Sequence, residues 1–321
     1  MSHVSEDTYL GNIVSNDGKN TKNINNRIGR GIGKINDILN ILRKFPLGKF
    51  YFKTALLLRD SLFLNSVLTN ADIWYGITKT EIKQLENLDL SLLRTFLDTP
   101  CTVPAEAVYM ELGCLNIETI IKSRRLNYFH YLLKQKKTSM LYKCFITQWK
   151  YPAIRNEWTE QVKIDLEDFG LPVDLELLAG KSVNAFKLDI KRRAKEYAFF
   201  AFLELKDRHS KLENLFYRDL RMQNYLHSDN VTIEEARKLF SYRTRMSNYS
   251  GNFGGVKLCP LCETHNDVQK MSFQCNIIKE NVKISGCYSN IFSENISSDI
   301  VQTVSDIEKF RDDYMASRML N

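Results

Sequence analysis

The sequence lacks a long apolar run, since the longest unbroken one spans only seven residues, from Tyr197 to Leu203. A membrane-spanning helix needs roughly 18–20 apolar residues, so none is expected. The segment from Met1 to Asp7 is polar and acidic, whereas a secretory signal begins basic and continues apolar. These absences favour an intracellular protein with no membrane partner.

Motifs of common enzyme classes are also missing. The chain shows no glycine-rich phosphate loop, no Ser/His/Asp set and no nucleophilic cysteine paired with a histidine. Its five histidines are scattered, at His3, His130, His209, His227 and His265. A hydrolase therefore has no support in the sequence.

The composition is that of a folded protein, with 44% hydrophobic and 26% charged residues among 321. This length predicts two or three small domains. The net charge of +7 is uneven: residues 1–150 hold 21 Lys and Arg against 13 Asp and Glu, and residues 151–321 hold 24 against 25. A polyanionic partner is expected at the first half, although an excess of this size is also ordinary surface chemistry.

Apolar spacing predicts a mainly α fold, an elongated array of helices with a short N-terminal β segment. Thr8 to Val14 reads as a strand that ends in a turn at Asn16, Asp17 and Gly18. Apolar residues then recur at helical spacing until Pro46 and Gly48, at Ile24, Ile28, Ile32, Ile35, Leu39 and Leu42. Further helices are predicted over 49–68, 79–97, 105–111, 117–135, 157–168, 183–211, 233–249 and 300–319.

The first predicted helix carries a basic stripe beside its apolar face. Arg27, Arg30 and Lys34 are spaced three and four residues apart, which places them on one flank. Gly29 and Gly33 lie roughly opposite the apolar face, where each weakens the helix by about 1 kcal/mol relative to alanine. Close approach to a nucleic-acid groove explains them, and so does drift in a decaying sequence.

Two other basic clusters are less specific. Arg124 and Arg125 precede the aromatic segment Tyr128 to Tyr131, a pattern that single-strand binders share with ordinary helical cores. The run from Lys191 to Lys195 is flanked by Asp189 and Glu196, which favours a solvated helix face.

Seven cysteines without a secretory signal indicate reduced thiols. Cys259 and Cys262 are separated by two residues, the usual first half of a zinc site, and Cys275 follows. His265 or Cys287 are the alternatives for a fourth ligand. A site that has lost its fourth ligand and binds nothing is the other interpretation.

Several segments, in order, resemble the region that follows the palm in LINE-type, non-LTR retrotransposon reverse transcriptases. They span about residues 8–275 and carry the motifs Tyr9-Leu10-Gly11, Arg27-Ile28, Trp74-Tyr75-Gly76, Leu112-Gly113, Arg124-Arg125, Phe240 with Arg243 and Arg245, and Cys259-Pro260-Leu261-Cys262. In that family's zinc knuckle a histidine precedes the last cysteine by about four positions. Met271 holds that place here.

The resemblance implies a nucleic-acid-binding C-terminal fragment, with no polymerase active site, that contacts an RNA–DNA hybrid, structured RNA or target DNA in a nuclear or cytoplasmic ribonucleoprotein. It divides the chain into a strand and turn remnant (1–18), thumb-like helices (19–70), a helical linker (71–150), a second helical region (151–250), a Cys-rich knuckle-like segment (251–290) and a C-terminal loop and helix (291–321). The expected nucleic-acid contacts are Lys22, Arg27, Arg30, Lys34, Lys49, Arg124, Arg125, Arg243 and Arg245. The expected metal ligands are Cys259, Cys262, Cys275 and His265.

Polymerases of this class hold two Mg²⁺ ions on paired aspartates in a strand turn. The only aromatic-x-Asp-Asp sequence, Phe310 to Asp313, has helical flanks, so no magnesium site is predicted. The alternatives left open are polymerase activity supplied by a missing N-terminal part and an inert element remnant. The oligomeric state stays open.

Overall fold

The computed structural model describes residues 6–9, 12–15, 20–45, 47–151, 157–209, 212–255 and 257–319. It is mainly helical, with a short N-terminal sheet of two strands and three neighbouring cysteines near the end of the chain. The predicted fold class is therefore confirmed. Within the described ranges, no helix combines the length and the apolar character that crossing a bilayer requires.

The N-terminal sheet differs from the predicted single strand. Strand β1 (Glu6–Tyr9) pairs antiparallel with β2 (Asn12–Ser15), in the register Tyr9 opposite Asn12. The predicted strand segment 8–14 is thus divided between two antiparallel strands. The turn predicted at Asn16, Asp17 and Gly18 lies outside the described residues.

Most of the predicted helices are present, with ends shifted by a few residues. The α-helices are α1 (Thr21–Lys44), α2 (Tyr51–Leu58), α3 (Asn65–Val67), α4 (Lys79–Leu97), α5 (Ala105–Leu112), α6 (Ile117–Leu133), α7 (Met140–Lys150), α8 (Trp158–Asp168), α9 (Leu175–Gly180), α10 (Val183–Lys206), α11 (Ile233–Arg243), α12 (Gln269–Ser272), α13 (Asn276–Asn281) and α14 (Ser298–Met319). A π-helical segment, Arg59–Leu64, joins α2 to α3.

Four helices were not predicted: α12, α13, α7 and α9. The last two have a signal in the sequence. Each begins at a polar N-cap: the Ser139 hydroxyl accepts the Tyr142 N–H, and the Asp174 carboxylate accepts the N–H groups of Glu176 and Leu177. Such caps are the available sequence signal. Helix α11 also ends at Arg243, six residues before its predicted end at 249, because Arg245 takes a left-handed φ of 55°.

The chain forms two compact units, each built from separate stretches of sequence. Unit 1 comprises residues 1–43, 57–92 and 115–201, and unit 2 comprises residues 44–56, 93–114 and 202–321. The six segments suggested by the sequence stay a prediction.

The core of unit 1 surrounds α6, which packs against α7, α8 and α9. Its buried apolar members are Leu126, Phe129, Leu132, Leu133, Phe145, Trp158, Val162, Leu166, Phe169, Leu171, Leu178, Phe186, Ile190 and Ala194. Arg125 crosses from α6 to α8, where its Nη1 donates to Asp165 over 2.7 Å. Burial raises the pKa of Asp165 to about 6, although Arg125 acts to lower it. A second buried pair joins Arg59 to Asp89 of α4, at 2.6 and 2.7 Å.

Helix α1 buries a different face from the one its isoleucines predict. Ile24, Ile38 and Leu42 are buried, but Ile32 is 51% exposed. The buried face is turned by roughly 50° toward Arg27, at 100° per residue. Gly31 permits this rotation, because it leaves room for the side chains of α3, α4 and the π-helical segment.

Gly31 tests how tightly α1 packs. An added Cβ would lie 2.6 Å from Leu88 Cδ2 and 2.8 Å from Val67 Cγ2, whereas nothing lies within 4 Å of the same position at Gly29. Replacement of Gly29 by alanine should stabilise unit 1 by about 1 kcal/mol through helix propensity. Gly31→Ala should instead destabilise it by about 1 kcal/mol, since overpacking costs about 1–3 kcal/mol.

Denaturant unfolding followed by tryptophan fluorescence measures this difference. All three tryptophans, Trp74, Trp149 and Trp158, belong to unit 1. Equal stabilisation by the two substitutions would show that α1 does not pack closely at Gly31.

Candidate metal centre

The first two cysteines of the cluster lie on a tight turn in unit 2. Leu258 and Asn266 form an antiparallel bridge, and the Cys259 N–H donates to the His265 carbonyl over 2.6 Å. The Glu263 N–H closes the turn on the Cys259 carbonyl at 2.9 Å, and Glu263 has a left-handed φ of 55°. This turn brings Cys259 and Cys262 to the same side.

The third cysteine comes from the short helices that follow. The Cys275 N–H donates to the Met271 carbonyl at 2.9 Å, and Cys275 is the residue preceding α13. Cys275 is 1% exposed and Cys259 5%. These two cysteines are therefore withdrawn from solvent, whereas Cys262 is half-buried.

The three sulfur atoms of Cys259, Cys262 and Cys275 all lie within 4.8 Å of one another, so this group could hold a metal ion. Thiolates bound tetrahedrally at a Zn–S distance of about 2.3 Å are separated by about 3.8 Å, which this spacing accommodates. The chemistry of the donor set favours a soft or borderline cation.

The surroundings of the sulfurs shift the pKa values of Cys275 and Cys262 in opposite directions. Burial raises the pKa of the Cys275 thiol to about 11, and the sulfurs of Cys262 and Cys259 act in the same direction. Burial also acts to raise the pKa of Cys262. Hydrogen bonds from Thr264, whose hydroxyl is 3.2 Å from the sulfur, and from the His265 backbone outweigh it and lower that pKa to about 6.

Both candidate fourth ligands lie outside this group of sulfurs. His265 contributes its backbone carbonyl to the turn, as described above. Cys287 is exposed, and its sulfur contacts the Ser289 hydroxyl at 3.0 Å and the Asn290 side-chain oxygen at 2.8 Å. The three cysteines that the sequence grouped are thus brought together, and the fourth position is not filled by either residue.

Two arginines of helix α14 stabilise the cysteine turn through hydrogen bonds. Arg311 donates to the Asp267 carboxylate over 2.6 Å and to the Asn248 carbonyl over 3.1 Å. Arg318 reaches the Pro260 carbonyl and the Glu263 carboxylate, each at 3.2 Å. Sequence reasoning missed this support, because 44 residues separate Asp267 from Arg311 and no spacing rule connects them.

The aromatic-x-Asp-Asp sequence lies within the same helix α14, as its spacing predicted. Asp312 and Asp313 are both exposed.

The basic stripe predicted on α1 is only partly exposed, and Arg27 requires a correction. Arg27 is 1% exposed; its Nη2 donates to the Asn12 side chain at 2.6 Å and its Nη1 to the Ser66 carbonyl at 3.3 Å. It is buried because the rotated face of α1 carries it inward. Lys22 and Arg30 are exposed, and Lys34 is half-buried and pairs with Asp37 at 2.8 Å.

Two further predicted contacts belong to unit 1. Arg125 is buried against Asp165 and so cannot present its charge to a ligand. Arg124 is half-buried, and its Nη1 donates to the Leu68 carbonyl at 2.6 Å. Burial is the largest influence on its guanidinium and lowers its pKa.

The remaining predicted contacts belong to unit 2. Lys49 is an exposed residue paired with Asp229. Arg243 was expected to be exposed, but it is fully buried, with its Nε 3.2 Å from a Glu111 carboxylate oxygen. Arg245 is half-exposed, and its guanidinium lies 3.9 Å from a carboxylate oxygen of Glu213.

Arg243 and Arg245 therefore have different expected roles. Arg243→Ala leaves the Glu111 carboxylate buried without its cation and should lower the free energy of unfolding by about 3–5 kcal/mol. Arg245→Ala removes only an exposed pair and should cost about 1 kcal/mol or less. Thermal unfolding followed by circular dichroism measures both, and equal losses would contradict the buried position of Arg243.

Comparison with known proteins adds no further assignment. The chain matches no protein-family model, no curated protein and no solved structure. What can be said of its function therefore derives from its own residues: a cluster of three cysteines that could hold a metal ion, and the basic residues that remain at the surface of each unit.

Proposed function

We propose that this chain binds nucleic acid through the solvent-exposed face of α1, and that it corresponds to the thumb, linker and knuckle region of a LINE-type reverse transcriptase. The observation that carries the proposal is the charge of this face. Lys22, Arg30 and Arg43 are exposed, Lys34 is half-buried, and Asp37 is the single acidic residue of the helix.

The shape of the same face also suits a polyanion. An added Cβ at Gly29 or Gly33 would meet nothing within 4 Å, so the backbone is open to solvent between the cations. A helix of 24 residues is about 36 Å long, at 1.5 Å per residue. Cations distributed over this length can contact successive phosphates of an RNA–DNA hybrid, which gives affinity with little sequence specificity.

Zinc is the cation we propose for the cysteine cluster. Structural zinc sites use four ligands, commonly three cysteines and one histidine or four cysteines. Cys259, Cys262 and Cys275 supply three, and His265 is the histidine next to the turn. A zinc ion there would join the cysteine turn to the residue that precedes α13.

The α1 face is tested by neutralising Arg30 and Lys34 together with glutamine, which has a helix propensity similar to theirs. Binding to a labelled RNA–DNA hybrid should weaken. The slope of log affinity against log salt should flatten by about two units, at roughly 0.9 per lost phosphate contact. Fluorescence anisotropy across a salt series measures both quantities.

Lys191 and Lys195 provide the matched control, because both are exposed on α10 and their replacement by glutamine removes the same charge. This control should leave affinity nearly unchanged. If the two double variants weaken binding equally, the protein has only non-specific electrostatic attraction and α1 is not its binding face.

The zinc proposal predicts about one ion per chain by elemental analysis of the purified protein. Cys259→Ser and Cys275→Ser should each abolish stoichiometric binding, since a thiolate ligand is lost. Cys287→Ser should retain the metal, and loss on His265→Ala would identify the fourth ligand. Protein without metal, or metal that persists in Cys259→Ser, would contradict a zinc site at this cluster.

A further inference from the structure

A cleft with a volume of about 1080 Å³ lies within unit 2. This exceeds the about 300–1,000 Å³ of ordinary small-molecule pockets, so the cleft has room for an extended ligand. Part of its lining comes from the segment that joins Cys262 to Cys275: Val268, Gln269, Lys270, Phe273 and Gln274. The function proposed above does not use this cleft.

Aromatic rings form one wall of the cleft. The Tyr288 ring packs edge-on against Phe292 and Phe273, with centroid distances of 5.2 and 6.0 Å. Phe216 lines the same cleft and is 51% exposed. A phenylalanine ring left open at the edge of a cleft offers a surface on which a planar group can stack.

A strained arginine lies in the same lining. Arg245 has a φ of 55°, at a position after the end of α11 where glycine is the usual residue. Non-glycine residues in this conformation are concentrated at functional sites. Its guanidinium is 3.9 Å from the carboxylate of Glu213, which is itself mostly exposed. A pair this long and exposed leaves the cation available to an anionic ligand.

The wall of the cleft includes Gln269, whose amide is held inside unit 2. Gln269 is 3% exposed, and its amide N–H donates to the Tyr242 carbonyl at 2.9 Å. Its amide oxygen has no hydrogen-bond partner among the described residues. That oxygen is shielded from solvent, so Gln269 shapes the wall and offers no acceptor to a ligand.

We propose that this cleft binds an unpaired nucleotide of a single-stranded nucleic acid. The base stacks on Phe216, and the phosphate pairs with Arg245. A purely apolar ligand would leave the arginine unmatched, and an acidic peptide without aromatic side chains would leave the ring unused. The inference rests on the proposed nucleic-acid binding and extends it from duplex to single strand.

The experiment compares a labelled, short, single-stranded oligodeoxycytidine with the RNA–DNA hybrid, by fluorescence anisotropy on the full chain. Phe216→Ala should weaken single-strand binding about tenfold and leave hybrid binding unchanged. Phe216→Trp should bind the single strand at least as tightly as the unsubstituted protein. Phe253→Ala is the matched control, since Phe253 is 62% exposed in unit 2 and does not line the cleft.

Arg245→Gly separates ligand binding from stability. Glycine adopts the left-handed conformation without strain, so the thermal unfolding temperature should not fall, whereas single-strand affinity should fall several-fold. A structural role for Arg245 would lower both.

The outcomes distinguish this inference from the proposed function. Hybrid binding that depends on Arg30 and Lys34, with single-strand binding unaffected by Phe216→Ala and Arg245→Gly, overturns the cleft and leaves the proposed function intact. A chain that binds neither probe overturns both.

Discussion

The carboxylate of Glu111, at the end of α5, is buried in unit 2, and the surrounding structure depends on its neutralisation. Tyr217 and Tyr225 each donate a hydroxyl to it, and Arg243 supplies the opposite charge. Burial and the carboxylate together raise the pKa of both tyrosines, which keeps them protonated as donors. Because a buried carboxylate without partners costs several kcal/mol, these groups must come together for unit 2 to fold. The Glu111 carbonyl adds a backbone link by accepting the Gln223 N–H at 3.0 Å.

Both units bury arginines, so the net charge of the sequence overstates the positive charge at the surface. Arg27, Arg59, Arg125 and Arg311 are all nearly inaccessible and each donates to a carbonyl, amide or carboxylate inside its own unit. Their positive charges therefore serve the fold. The surface available to a polyanion is smaller than the sequence suggests. On α1 it reduces to the cations that stay exposed or half-buried beside the buried arginine: Lys22, Arg30, Lys34, Arg43 and Lys44. Because fewer cations form the proposed binding face, fewer substitutions are needed to test it than a general basic patch would need.

The cysteine cluster and the cleft share one segment of unit 2. Residues 263–274 connect Cys262 to Cys275, and several of them line the cleft. Asp267, within this segment, is fixed by Arg311 of α14. A cation held by the three sulfurs would restrain both ends of the segment. Under the two proposals, the metal would then order one wall of the single-strand site. Metal binding and ligand binding would be linked through a short stretch of backbone.

Local information in the sequence determined most of the helices and the grouping of Cys259, Cys262 and Cys275, because apolar periodicity and a two-residue cysteine spacing act over a few positions. It also indicated helical flanks for the aspartates of α14. It did not determine which arginines are buried: Arg243 and Arg245 differ by two positions, yet one faces Glu111 and the other the cleft. Nor did it reveal the rotation of α1 at Gly31 or the contact between Asp267 and Arg311. These features depend on partners distant in sequence, so tertiary packing decided them, since burial of a charge is tolerated only where a partner is already in place.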